Sequence, residues 1–353
     1  MASNDRVHLV GSVTKDWSVE EVFRNCAQAL GGYASKLPDG EVGDRFYWIN
    51  FLAYRTYFPH PDMEPVQRPR EVPGKDWWVP TSYDEHWHFR IKDDVPSLRF
   101  EHLGYARAAK ESYAVFRRLR DQGVIPAGTR FQVAVPLTES GTRQFVGRKR
   151  DFELMWDAYQ DAMRREIATL VRDIPPRDLA FQWDICGEVA AVEGVPWGYF
   201  KDDSDPMERY TRSLADLSPS VPKEAQIGFH LCYGDLAHKH FMQPKDLGVC
   251  VRMANEGVKA AGRSVEFIHM PVPRDRADDA YFAPLGDLRT PGSRVFLGLV
   301  HHTDGLDGTL GRLNTAKRHL KDFGISTECG LARRPAETLA EVFRIHREAA
   351  DKI

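Results

Sequence analysis

The chain has 353 residues, a formal net charge of −3 and 42% hydrophobic residues. That is enough for a large buried core and about the size of one α/β barrel carrying an insertion, the chain being expected to form a single domain over residues 1–353. The slightly acidic balance argues against a nucleic-acid partner, which needs a basic surface.

No run approaches 18 consecutive apolar residues, so no membrane span is expected. Met1 to Arg6 lacks a basic stretch leading into an apolar one, so no secretory signal is expected either. The cysteines, Cys26, Cys186, Cys232, Cys250 and Cys329, are sparse and odd in number, which is no disulfide framework. The expectation is a cytoplasmic protein with reduced thiols.

In chain order, short apolar runs alternate with longer amphipathic stretches, the pattern of βα units around a parallel sheet. The predicted strands are Val7–Val10, Tyr33–Leu37, Arg130–Pro136, Leu179–Asp184, Gln226–Leu231, Val265–Met270, Val295–Val300 and Gly324–Thr327. Ser18 opens a helix, with Glu21 completing a capping box and Gly31 as the stop. Further helices are predicted over His102–Gln122, Asp151–Asp173, Lys245–Ala261 and Gly311–Phe323, and a last one opens at Pro335. This count predicts a (β/α)8 TIM barrel. Residues 54–96 break the repeat: they are rich in Pro and aromatics, including Trp77, Trp78 and Trp87, and too long for an ordinary loop. They read as an insertion, either a lid over a substrate pocket or aromatics packed on the barrel rim. An apolar or ring-shaped substrate part would suit them.

In such barrels chemistry sits at the carboxyl ends of the strands. Those ends carry Ser12, Asp39 to Glu41, Asp184 and Glu188, His230 to Tyr233, His269, His301 to Asp304 and Glu328 to Gly330. His230 and Cys232 are two residues apart on a strand, so both side chains share a face. Imidazole and thiolate suit zinc, and a second thiolate from Cys329 would leave one coordination position open, as in catalytic sites. Cys26 and Cys250 lie at apolar helical spacing and read as core. His301 and His302 titrate near neutral pH and are candidates to give a leaving group its proton.

His230-Leu231-Cys232-Tyr233 resembles the His-Met-Cys-Tyr zinc motif of cobalamin-independent methionine synthase. The resemblance continues in order. Val10-Gly11-Ser12 resembles that family's Ile-Gly-Ser, and Asp39-Gly40-Glu41 its His-Gly-Glu. Gln182-Trp183-Asp184 resembles its Gln-Ile-Asp-Glu-Pro strand end, without the Glu-Pro, and Glu328-Cys329-Gly330-Leu331 its Asp-Cys-Gly-Leu. The likeness covers the family's catalytic barrel only. It implies a Zn²⁺ ion on His230, Cys232 and Cys329, with Ser12, Glu41 and Asp184 binding substrate, the acids holding an amino group. The family's glutamate ligand has no match here: strand parity turns Glu266 away and leaves His269 nearest, as a candidate fourth ligand. Strand seven also departs, with His301-His302-Thr303 where the family has Asp-x-His.

The expected function is transfer of a methyl or other alkyl group to or from a zinc-activated thiol, with a small-molecule thiol and an alkyl donor as partners. The alternative is a lyase or hydrolase on the same barrel, with Asp184, His301 and His302 as acid–base groups. A zinc-storage or thiol-binding protein is a further, non-enzymatic reading.

Overall fold

The chain runs from β1 (Lys36–Pro38) through an antiparallel hairpin, β2 (Met63–Gln67) and β3 (His88–Ile91), into β4 (Arg130–Pro136), β5 (Leu179–Ile185), β6 (Gln226–Leu231), β7 (Phe267–Pro271), β8 (Arg294–Val300) and β9 (Gly324–Thr327). The computed structural model describes residues 5–71, 80, 85–195, 200, 204–236, 239–332 and 334–353. Trp77 and Trp78 lie outside them. All strands except the hairpin pair in parallel, in the order β1-β4-β5-β6-β7-β8-β9. Helices cross between them, as parallel pairing requires. Every residue of β5 is buried, because helices cover one face of the sheet and its own side chains fill the other.

The sheet is curled. The Lys36 ammonium of β1 lies 4.5 Å from the Phe267 ring of β7 and 4.7 Å from the Phe296 ring of β8, far away in strand order. This floor, closed by Ala180, is apolar except for Lys36, which pairs with Asp5 at 3.1 Å. Above it comes a polar layer. His8 Nε2 meets Gln182 Oε1 at 2.8 Å, and the Gln132 and Gln182 amides both donate to the Val10 carbonyl. The concave face thus turns from apolar to polar toward the carboxyl ends of the strands.

Residues 7–10 form no strand of their own. Val7 makes an isolated parallel bridge to Ile325 of β9, its amide and that of Arg6 donate to Tyr33 ahead of β1, and Ser12 bridges Gly40 beyond it. The segment therefore touches both edges of the seven-stranded sheet through isolated contacts. The second predicted strand is also shorter and later than its apolar run, Lys36–Pro38.

The helix Val19–Leu30 carries both halves of the capping box on Ser18 and Glu21. Tyr105–Asp121, Lys149–Asp173, Gly248–Ala260 and Leu339–Ala350 follow their predictions to within a few residues, whereas Gly305–His319 begins and ends ahead of the predicted Gly311–Phe323. Among the helices without a prediction are Gly187–Val192 and Pro206–Leu217, the latter opened by an Asp205 cap and a proline in its first turn. Within 54–96, Tyr57 and Trp87 are fully buried and Trp87 stacks on Phe89 with centroids 5.6 Å apart, so these rings pack inward. The Arg6 guanidinium reaches the Ala350 carbonyl at 3.1 Å and Asp351 at 3.2 Å, bringing the two ends of the described chain together. No helix among the described residues is long and apolar enough to cross a membrane.

Candidate metal centre and substrate cleft

His230 is the penultimate residue of β6 and Cys232 follows the strand, so both share a face at its carboxyl end, and Cys329 follows β9. Their potential ligand atoms lie within 4.8 Å of one another. Cys232 Sγ is 3.6 Å from Cys329 Sγ, which is 3.8 Å from His230 Nε2. A tetrahedral zinc site, with bonds of about 2.3 Å to sulfur and about 2.0 Å to nitrogen, has edges of roughly 3.8 and roughly 3.5 Å. The side chains present fit such an ion.

The hydrogen bonds around His230 fix its tautomer. His269 Nε2 faces the Thr327 carbonyl at 2.9 Å and must donate to it. Burial holds His269 down to about 4, so the ring is neutral and its Nδ1 carries a lone pair. His230 Nδ1 lies 2.7 Å from that atom and therefore donates. His230, held well below its ordinary range by burial and then by His269, is left with a bare Nε2 aimed at the thiols. His269 is thus no ligand: both its nitrogens are engaged beneath His230, and the metal-capable group does not include it. Parity placed it on the right face, in register with His230, but its nitrogens are taken by His230 and the Thr327 carbonyl.

The thiols are held as firmly. The Cys232 amide donates to Ile185 of β5, and the Gly234 amide approaches Cys232 Sγ at 3.2 Å. The Cys186 thiol beside it, and then burial, push Cys232 well above the ordinary thiol range against a lowering by Cys329. Cys329 is anchored by Thr327, whose hydroxyl donates to the Cys329 carbonyl at 2.7 Å. The next turn is latched to the first strand end: Leu331 donates to the Ser12 carbonyl, and a Cβ at Gly330 would collide with Ser12 Oγ.

Above the thiols opens a cleft of about 890 Å³, its mouth included. Ser12, Glu41 and Asp184 all line it, together with His230, Cys232 and Cys329. Asp184 accepts from Gln182 at 2.9 Å and from the Trp48 indole at 3.1 Å. Burial raises it to about 7 despite these donors. Glu41 stands in the left-handed region, φ 51, held by its amide's bond to Asp39, with its carboxylate over Gly11, where any Cβ would meet Oε1 at 2.8 Å. Asp39 in turn is fixed by Arg45 and Ser112.

His301 and His302 are not among the described lining residues. His301 Nε2 donates to Val272 at 2.8 Å and its other nitrogen faces Glu328 at 3.6 Å. Burial lowers His301, with Glu328 opposing. The cleft instead holds residues that the sequence did not single out: Phe46, Tyr47, Trp48, His86, Gln144 and Asp235. Trp48 gave no signal, because its place in the cleft depends on an unusual backbone, φ 55, that no residue pattern announces.

No protein-family model matches the sequence, and no curated protein matches it. Solved structures match its fold along nearly the whole length. A B12-independent methionine synthase from Shewanella sp. W3-18-1, in complex with selenomethionine, superposes with a TM-score of 0.60 at 13% identity, over 99% of this chain and 98% of that one. A protein described as a vitamin B12-independent methionine synthase from Listeria monocytogenes gives 0.54 at 11%, over 98% and 96%. A methyltransferase from Methanosarcina mazei gives 0.50 at 10%, over 98% and 94%. At such identities the likeness is one of fold.

Proposed function

We propose that this protein is a zinc-dependent transferase that moves a methyl or other alkyl group to or from a thiol. The observation that carries this reading is the His230–Cys232–Cys329 group at the floor of a cleft, with a bare imidazole nitrogen facing two thiols. The likeness in fold to methionine synthases and a methyltransferase supports it. A zinc ion held by these three residues would supply Lewis acidity, binding a substrate thiol as its thiolate at neutral pH. The protein's own part is to hold that sulfur and to orient its partner. His269 and the Thr327 carbonyl keep His230 in the ligating tautomer. Ser12, Glu41 and Asp184 are the groups to bind the rest of the substrates, and the cleft walls exclude water from the reacting sulfur.

In this reading residues 7–10 stand as the remaining strand of a closed eight-stranded barrel, supported by their contacts to both sheet edges. The whole chain is one domain with 54–96 as an insertion or lid within it, and its reduced thiols suit the cytoplasm. The lyase or hydrolase alternative keeps Asp184 in the cleft but not His301 or His302, which are not among its described lining residues.

The test is metal content by mass spectrometry of the purified protein and of its Cys232→Ser and Cys329→Ser variants. The expected result is about one zinc per chain, lost in both variants, as removal of one of three ligands requires. A native protein that takes up no zinc sinks the reading.

A further inference from the structure

Phe46, Tyr47 and Trp48 follow one another in the chain, and all line the cleft. The Phe46 and Tyr47 rings meet edge to face, centroids 4.8 Å apart and planes at 87°, forming two walls of a corner. Trp48 stands beside them with its indole N–H clamped on Asp184. Glu41, Asp184 and Asp235 give the same cleft three carboxylates, and its described lining contains no lysine or arginine. An aromatic face is the negative end of a ring quadrupole and attracts a cation, most strongly when water is excluded. Carboxylates add to that attraction.

We propose that the alkyl donor of this cleft is an onium cation, a quaternary ammonium or a sulfonium, whose charged centre sits in the corner formed by Phe46, Tyr47 and Trp48 and is balanced by Asp184. The inference rests on the alkyl-transfer reading above and names its donor. The co-substrate thiol first loses its proton to water. Its thiolate then attacks the methyl carbon of the onium: one S–C bond forms, the C–N⁺ or C–S⁺ bond breaks, and its electron pair leaves with a neutral amine or sulfide. Charge and atoms balance without an oxidant or reductant, and the leaving group needs no proton. A neutral aryl ether would instead leave as an oxyanion and require an acid at that point.

The test is calorimetric titration of the full chain, zinc-free and zinc-loaded, with phenyltrimethylammonium, its uncharged isostere tert-butylbenzene, and benzenesulfonate. The cation is expected to bind at least about tenfold tighter than either comparison, with or without zinc. Trp48→Leu and Asp184→Asn are expected to weaken it about tenfold, while Trp48→Phe keeps most of it. Equal or tighter binding of the neutral or anionic compound overturns the inference even if a variant fails to fold, and so does a folded Trp48→Leu that binds as well as the native protein. Zinc-loaded protein given trimethylsulfonium and a panel of small thiols is then expected to release dimethyl sulfide and the methyl thioether. Cation binding without any thioether overturns the transfer reading, and loss of cation selectivity in a protein that still holds zinc overturns only the donor assignment.

Discussion

His269 never touches the three metal-capable side chains as a ligand, yet it decides what His230 can do. Its Nε2–H on Thr327 leaves one acceptor, and that acceptor forces the His230 proton onto Nδ1. A His269→Gln variant can keep one of these bonds but not impose the tautomer as a rigid ring does. Its zinc affinity is expected to fall about 10- to 100-fold, the usual effect of losing a ligand's supporting partner. Competition with a chelator of known affinity measures this, and an unchanged affinity would remove His269 from that role. The single-residue record is mixed for a physical reason. Strand alternation is local, so His230 and Cys232 were legible as a same-face pair, and Cys329 through its motif. His269 is in register with His230, and what sets it apart is that its two nitrogens are engaged by His230 and the Thr327 carbonyl, partners that a residue pattern does not show. Trp48 was illegible for a different reason: its role follows from a left-handed backbone and a bond to Asp184, 136 residues away in sequence.

The β5 end and the short helix after it form a buried polar joint. Ser140 donates to Glu188 through its amide at 3.1 Å and its hydroxyl, and that hydroxyl accepts from the amides of Cys186 and Gly187. Burial, and then Glu139, raise Glu188 to about 7. A carboxyl whose folded value lies above its unfolded one keeps its proton in the native state after the unfolded chain has lost it. Stability is therefore spent as pH rises from the ordinary glutamate range to about 7, on the order of 3 kcal/mol for a fully buried group. Glu188→Gln removes that titration. Denaturant unfolding at pH 5 and pH 8 is expected to show a smaller loss across this interval in the variant than in the native protein. Equal losses would mean that Glu188 is already ionised at pH 5. Among the elements, the six strands from β4 to β9 were readable because a parallel strand buried on both faces is a near-continuous apolar run. Residues 7–10 have the same composition but contact their neighbours through isolated bridges, which composition cannot distinguish from a ladder. The β2–β3 hairpin went unread because prolines and charges interrupt it, as edge strands permit. The helix Pro206–Leu217 had its start signal in plain view, an Asp205-Pro206 pair between the predicted strands Leu179–Asp184 and Gln226–Leu231, yet it was not singled out.

At the scale of the molecule, the curled sheet stacks an apolar floor, a layer of glutamines and histidines, and a rim of thiols and carboxylates along one concave face. The same fold holds at 10–13% identity over 94–98% of three solved chains, so the sheet and its helices tolerate almost complete replacement of their side chains. What the packing demands is apolar surface in the right places, a weaker requirement than particular residues. Arg6 carries a separate implication. Its guanidinium joins Ala350 and Asp351, and Tyr33 donates to the same aspartate at 3.1 Å, so the first and last described segments are neighbours. Ends this close can be spliced by a short glycine–serine linker and new ones cut elsewhere. The exposed turn at Pro291 and Gly292 is a suitable place to cut, since it lies between β7 and β8 on the side away from the cleft. Such a circular permutant is expected to fold with a melting temperature within a few degrees of the parent and to keep the His230–Cys232–Cys329 group intact, read as equal zinc uptake. Insolubility or loss of the cooperative melt would show that the order in which the strands are made matters to reaching this fold. If it folds, a fusion partner or reporter could be attached beside Gly292, on the opposite end of the sheet from the cleft, leaving the mouth open to substrates.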